Sequence, residues 1–239
     1  MLHTFRGGAD GANPQAYLIR DLEGNLYSTA FSGGDTSKCG GAGCGVVFKL
    51  DANNNETVLY TFEAGTDGAG PAAGLLWDRG NLYGATHGGG DLECSEISVP
   101  WQGCGVVFRV NATTGQETTL YAFTGSTDGG GPSSGLSRDE AGNLYGTTVF
   151  GGAGTCSFLP GLFGCGVVYK VDPAVRESVL HAFSGGADGA NPSTNLLLGE
   201  DGNLYGSAQD GGDINCSVPE TSLPGCGVVF KIALHCSGR

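Results

Sequence analysis

Basic side chains are scarce in this chain: 11 Lys and Arg stand against 24 Asp and Glu in 239 residues, a formal net charge of −13. Nucleic acid and anionic membrane surfaces both require clustered Lys and Arg, so neither is expected as a partner. Long apolar runs are missing as well. None approaches the roughly 20 residues of a membrane helix, so no membrane insertion is expected. The opening residues, Met1-Leu2-His3-Thr4-Phe5, have neither a basic segment nor a long apolar one, which reads as a chain without its leader. Helical periodicity is absent throughout, which points to an all-β protein. Histidine is limited to four residues, too few to place a converging ligand set in every part of the chain.

Glycine, by contrast, is abundant, with 46 residues against a usual share of about 7%. It follows no collagen period and falls at matching places in a tandem array. Asn25-Leu26-Tyr27-Ser28 is rewritten as Asn81-Leu82-Tyr83-Gly84, Asn143-Leu144-Tyr145-Gly146 and Asn203-Leu204-Tyr205-Gly206. Phe5, Phe62, Phe123 and Phe183 recur in steps of 57, 61 and 60 residues, a period that suits a multi-stranded blade. The repeats run over about 2–58, 59–119, 120–179 and 180–239, within a single domain 1–239.

Within each repeat a short apolar run, a Gly-containing turn and the Asn-Leu-Tyr segment form a hairpin signal. A Gly-Val-Val-aromatic segment such as Val46, Val47 and Phe48 supplies a third strand, and Val58 to Phe62 a fourth. The expected fold is a four-bladed β-propeller of four-stranded antiparallel blades. The chain begins on a fourth strand, Leu2 to Phe5, and its last strand, Val228 to Ile232, is a third. Pairing of the two would close the ring and remove both edges. A β-solenoid is the alternative.

Each repeat also holds two cysteines: Cys39 and Cys44, Cys94 and Cys104, Cys156 and Cys165, Cys216 and Cys226. Their separation varies from 5 to 10 positions and no His or second pair lies nearby, which favours disulfides over zinc. A secreted or cell-surface location follows. Cys236 is left over, and would be free or link a homo-oligomer.

The run from Pro71 through Gly74-Leu75-Leu76, Asp78 and Gly80 to Asn81-Leu82-Tyr83 resembles the blade core of NHL-type propellers. The fuller unit adds a Gly-Gly pair, Gly-Val-Val-Phe-Lys, Leu-Tyr-x-Phe and an Asp-Gly-x-x-Pro loop. It resembles more closely the GloVer (Gloeo-Verruco) tandem repeats of bacterial surface and secreted proteins. The resemblance covers almost the whole chain and implies export, often with surface attachment, but it implies no catalytic residues. The cysteine pairs depart from that family's pattern.

Three sets of residues are candidates for chemistry. Asp10, Asp67, Asp128 and Asp188 precede glycine at the same place in each repeat. Gathered on one face they would suit Ca²⁺, and taken singly they are turn residues whose carboxylates cap their own backbone. Asp35, Asp91 and Asp213 follow Gly-Gly pairs, a set that Ala153 breaks in the third repeat. The cysteine-bracketed loops vary most and carry Trp101, Phe158 and Phe163, aromatic rings suited to stacking on sugars. His3 and His181 take positions filled elsewhere by Tyr60 and Tyr121, so the histidines are expected to be structural. The expected function is non-catalytic binding or adhesion to extracellular carbohydrate or a surface partner. The alternatives are a polysaccharide or lactone hydrolase or lyase on the acidic rim, and a self-assembling structural subunit.

Overall fold

The computed structural model describes residues 1–94, 102–159, 162–213, 215–216 and 223–234. Blade one consists of β1 (Ile19–Arg20), β2 (Leu26–Ala30), β3 (Val46–Leu50) and β4 (Glu56–Thr61), and blade two of β5 (Leu76–Asp78), β6 (Asn81–Thr86), β7 (Val106–Asn111) and β8 (Glu117–Ala122). Blade three opens with β9 (Gly130–Pro132), β10 (Ser137–Arg138) and β11 (Leu144–Phe150). It then inserts a hairpin of β12 (Ser157–Leu159) and β13 (Leu162–Phe163), and ends with β14 (Val167–Val171) and β15 (Glu177–Ala182). Blade four has β16 (Leu197–Leu198), β17 (Leu204–Ala208) and β18 (Val228–Ile232). Every blade is built on an antiparallel meander in chain order, to which blade three adds β9 paired with β11 and the separate β12–β13 hairpin. The longest helical piece among the described residues is a three-residue 3-10 turn, Cys39–Gly41.

In blades one to three the third strand lies between two others and is buried on both faces. That is why Val-Val-aromatic reads as a continuous apolar run. Its register with the second strand is the same in all four blades, with Phe48 opposite Ser28, Phe108 opposite Gly84, Tyr169 opposite Gly146 and Phe230 opposite Gly206. The large ring lies across a small neighbour. A β-bulge recurs just before that aromatic wherever a fourth strand is present, bending the outer strand away.

Adjoining blades are joined by a fixed set of contacts. Phe62 packs edge-on against Phe108 at 5.1 Å, Phe123 against Tyr169 at 4.9 Å and Phe183 against Phe230 at 5.1 Å, so each fourth strand ends in a ring driven into the next blade. The backbone N–H groups of Gly70, Gly131 and Asn191 donate to the carbonyls of Cys44, Cys104 and Cys165, each at 2.9 Å. The apolar clusters accordingly run across the seams between blades.

The propeller architecture stands, but the expected closing ladder is not formed. Among the described residues β18 pairs only with β17, and Val229 is 86% exposed where its counterparts Val47, Val107 and Val168 are fully buried. Phe5 keeps its repeat role, packing on Phe48 at 5.1 Å, while Leu2 is exposed and the segment takes no strand partner. The contacts of the segment run to its own Asp-Gly loop and to blade one, His3 to Asp10 and Phe5 to Phe48, so its packing is satisfied without a ladder to β18.

Candidate functional site

In an antiparallel blade the connection from second to third strand and the exit from the fourth strand lie at one end. The Asp-Gly loops and the cysteine loops therefore share a rim. Each Asp is engaged within its own loop. Asp67 accepts the N–H of Glu63 at 2.8 Å and of Gly65 at 3.0 Å, and the Tyr60 hydroxyl at 3.1 Å. Asp128 does the same with the N–H of Thr124 at 2.8 Å and the Tyr121 hydroxyl at 3.0 Å. Asp10 accepts from the N–H of Arg6 at 2.8 Å and of Gly8 at 3.3 Å, with His3 at 3.8 Å. Asp188 takes the N–H of Ser184 at 2.9 Å, a short bond from its hydroxyl, and His181 at 3.3 Å. These are self-capping turns. Among the described residues no three His, Cys, Asp or Glu side chains come together as a metal ligand set. Asp35 likewise binds Ser37, through its N–H at 2.9 Å and its hydroxyl at 2.7 Å.

The seams hold residues that the sequence reading passed over. Glu56, Glu117 and Glu177 open the fourth strands, six positions before each Phe, and each half-buries its carboxylate against the preceding Asp-Gly loop. Thr119 Oγ1 ties that contact in blade two by donating to the Thr66 carbonyl at 3.0 Å. Burial first, then the Asp67 charge, pushes Glu117 up to about 7 against a bond from Thr119 that lowers it. Burial and Asp128 push Glu177 to about 7, and burial raises Glu56, opposed by His3 and helped by Asp10. The fixed offset from Phe was visible, but a Glu at a strand start reads as a solvated edge until the next blade is packed on it.

A carboxyl whose folded pKa is raised binds its proton more tightly in the native state, so stability falls as pH rises from its ordinary 4.5 toward 7. Full linkage would be about 3 kcal/mol per group, and solvent screening of these half-exposed side chains reduces it to about 1 kcal/mol. Thermal melts should therefore show a higher Tm at pH 5 than at pH 8. The Glu117→Gln, Glu177→Gln double variant should flatten the slope and melt higher at pH 8. An unchanged slope in that variant would assign the effect elsewhere. Below pH 4 the opposite sign takes over, because Asn25 and Tyr27 hold Asp21 low against its burial, and Asn143 and Tyr145 do so for Asp139.

At the inner edge the blades meet at equivalent positions Tyr17, Gly74, Gly135 and Asn195. The Tyr17 ring lies where a side chain on Gly74 would stand, and a Cβ on Gly135 would be 2.9 Å from the Tyr17 hydroxyl and 3.0 Å from Asn195 Oδ1. Asn195 Oδ1 accepts the Gly135 N–H at 2.6 Å, and the Ser137 hydroxyl makes a short bond to the Leu196 carbonyl. Tyr17, still 47% exposed, thus reaches from blade one across Gly74 to Gly135 of blade three. The segment Gly131-Pro132-Ser133-Ser134-Gly135 also spells Gly-x-Ser-x-Gly, a match that the sequence reading missed. It lies at the end of β9 with no helix after it, unlike a strand-to-helix nucleophile elbow. The Ser134 hydroxyl serves Thr147, at 2.9 Å from Thr147 Oγ1, and Ser133 Oγ is buried without a partner.

The four cysteine pairs are bridged, with Cα separations of 5.0 to 5.7 Å that suit disulfide geometry. Beneath the Asp-Gly loops, a Cβ on Gly125 would meet the sulfurs of Cys94 and Cys104, and one on Gly185 those of Cys156 and Cys165. The staple and the Asp-Gly loop are therefore one packed unit. Phe163 stands 62% exposed on β13, and Phe158 lies in β12. Trp101, Cys236 and His235 fall outside the described residues. The other histidines are dispersed: His3 and His181 face their Asp loops, and His87 is partly buried, a desolvation that lowers its pKa.

The description Gloeobacter/Verrucomicrobia repeat belongs to a family model that matches residues 1–218. Among solved structures the chain is similar to a luciferin-regenerating enzyme at 18% identity and a TM-score of 0.51, over 90% of this chain and 60% of that one. It is also similar to a protein assigned as a gluconolactonase, at 14% identity and a TM-score of 0.48 over 93% and 64%. A third likeness is to TolB from Acinetobacter baumannii, at 10% identity and a TM-score of 0.44 over 80% and 38%. At 18% identity the first likeness concerns the fold alone, and the lower-scoring two add nothing to it. The chain spans 60% of the length of the luciferin-regenerating enzyme. No curated protein matches the chain.

Proposed function

The chain belongs to the Gloeobacter/Verrucomicrobia repeat family, and from that premise we propose that it is a repeat-built binding module of an oxidising, extracellular setting whose stapled rim loops take carbohydrate. The observation that carries this reading is Phe163, 62% exposed on a hairpin that the Cys156–Cys165 bridge fastens to blade three. A ring held rigidly in water gains apolar contact by stacking on a sugar face and gives up little conformational freedom in doing so. Four local disulfides support an oxidising compartment. Binding is favoured over cleavage by the rim carboxylates, since Asp67 and Asp128 already accept backbone and tyrosine bonds that a catalytic acid would have to release.

On a glycan array the intact chain should be retained on a subset of saccharides without shortening them. Phe163→Ala should weaken that retention about tenfold while leaving the melting temperature in place, as expected for an exposed anchor. Release of shortened or ring-opened products, or retention indifferent to Phe163, would overturn the reading.

A further inference from the structure

At the opposite end from the rim the seams between blades form grooves, and one of the three is unlike the others. The seam between blades one and two opens as a groove of about 640 Å³ lined by Trp77, Tyr27, Lys49, Glu23, Thr57 and Thr113, among others. Trp77 sits on β5 at the position of Arg20, Arg138 and Leu198 in the other blades. Its ring leans on Tyr27, with centroids 5.2 Å apart and a 38° tilt, and Trp77 remains 39% exposed. In the next seam Arg138 takes that place, pairs with Asp78 at 3.2 Å, and leaves about 220 Å³. In the seam after that the position is Leu198, in a groove of about 940 Å³ that has no tryptophan.

We propose that this groove is a second carbohydrate site, taking one or two rings of a neutral saccharide stacked on Trp77, independent of Phe163. The polar lining decides the class of ligand. Every sugar hydroxyl both donates and accepts, and the groove offers both functions with capacity to spare. Among the described residues the Lys49 ammonium makes no hydrogen bond or ion pair; it lies 5.8 Å over the Tyr27 ring and acts on Asp51 through its charge alone. Glu23 accepts a single side-chain bond, from Asn25 at 3.5 Å. The side-chain hydroxyls of Thr57 and Thr113 make no hydrogen bond among the described residues, and both residues are exposed. The other two carboxylates are committed to turns, Asp21 to Asn25 and Tyr27 and Asp51 to Asn53 and Asn55. They keep their charge but have little capacity for new bonds. Three carboxylates against one ammonium disfavour acidic sugars. An organic cation would be drawn by the same excess of carboxylates but would leave Lys49 and the threonine hydroxyls unused. The volume lies in the range of small-ligand sites.

Neutral gluco-, manno-, galacto- and xylo-configured oligosaccharides, titrated singly into the full chain and followed by calorimetry and tryptophan fluorescence, test the site. At least one configuration should bind and perturb the fluorescence. Trp77→Ala should weaken it about tenfold or more, and Trp77→Phe should recover most of the loss. Lys49→Met, which leaves the stacked ring in place, should weaken binding severalfold. Phe163→Ala should leave it unchanged, so that failure of the rim reading and failure of this one are separable. Absence of binding by every configuration at millimolar concentration overturns the site, as does binding indifferent to Trp77 in a chain that melts normally.

Discussion

Replacing Gly151 by alanine should destabilise the protein by more than about 3 kcal/mol, and in some hosts prevent accumulation of folded chain. Gly151 has φ +77° and donates to the Phe163 carbonyl at 2.8 Å. A Cβ there would lie 2.5 Å from Gly129 Cα and 2.8 Å from its carbonyl carbon, and a Cβ on Gly164 would strike the Gly151 carbonyl. Three glycines thus cross with their backbones in contact, and the arrangement recurs as Gly11, Gly33 and Gly43, as Gly68, Gly89 and Gly103, and as Gly189, Gly211 and Gly225. No rotamer relieves a clash with backbone, so the cost adds to the roughly 1–2 kcal/mol of left-handed strain. Gly80 isolates that strain. It has φ +81° with nothing within 4 Å of its Cβ position, so Gly80→Ala should cost only about 1 kcal/mol. Denaturant midpoints measure both variants, and equal losses would refute the crossing as the source of the glycine content.

Phe123→Ala should cost about 3–5 kcal/mol, the usual loss for a fully buried ring. Phe123 has no exposed surface. It lies edge-on to Tyr121 at 5.1 Å and to Tyr169 at 4.9 Å, and its N–H donates to the Gly105 carbonyl at 3.0 Å. Removing it empties the seam between blades two and three from both sides. Phe5 makes the corresponding contacts with His3 and Phe48 but is only partly buried, so Phe5→Ala should cost less than half as much. The pair of variants therefore reports on the seam between the last blade and the first. Equal losses would mean that the N-terminal segment is buried in solution and that the ladder to β18 forms there.

Much of this architecture was legible because its signals are local. A turn glycine, an Asn-Leu-Tyr strand and a Val-Val-aromatic strand lie within a few dozen residues of one another, and their repetition confirms each by the others. Cys156 and Cys165 could be paired for the same reason: nine positions apart, they have no competing partner inside the repeat. The Asp-Gly loops were readable as turns because the groups Asp67 binds, Tyr60, Glu63 and Gly65, are its near neighbours in sequence.

What tertiary structure decided lies between the repeats. Glu117 is an ordinary strand-opening acid until the loop of Asp67, fifty positions earlier, is laid against it, and desolvation in that seam, with the Asp67 charge, raises its pKa. Trp77 reads as one apolar residue in a short strand until Tyr27 of the preceding blade is brought beneath its ring. Ring closure was inferred from the phase of the repeat, which records what a segment resembles but not the number of ladder bonds that hold it. The sequence by itself determined the blades, their number and their staples, because those rest on short-range hydrogen-bonding and packing periods. The seams, their grooves and the edge of β18, unpaired among the described residues, were set by packing among blades, where burial and charge are properties of the assembled neighbours rather than of any one stretch of chain.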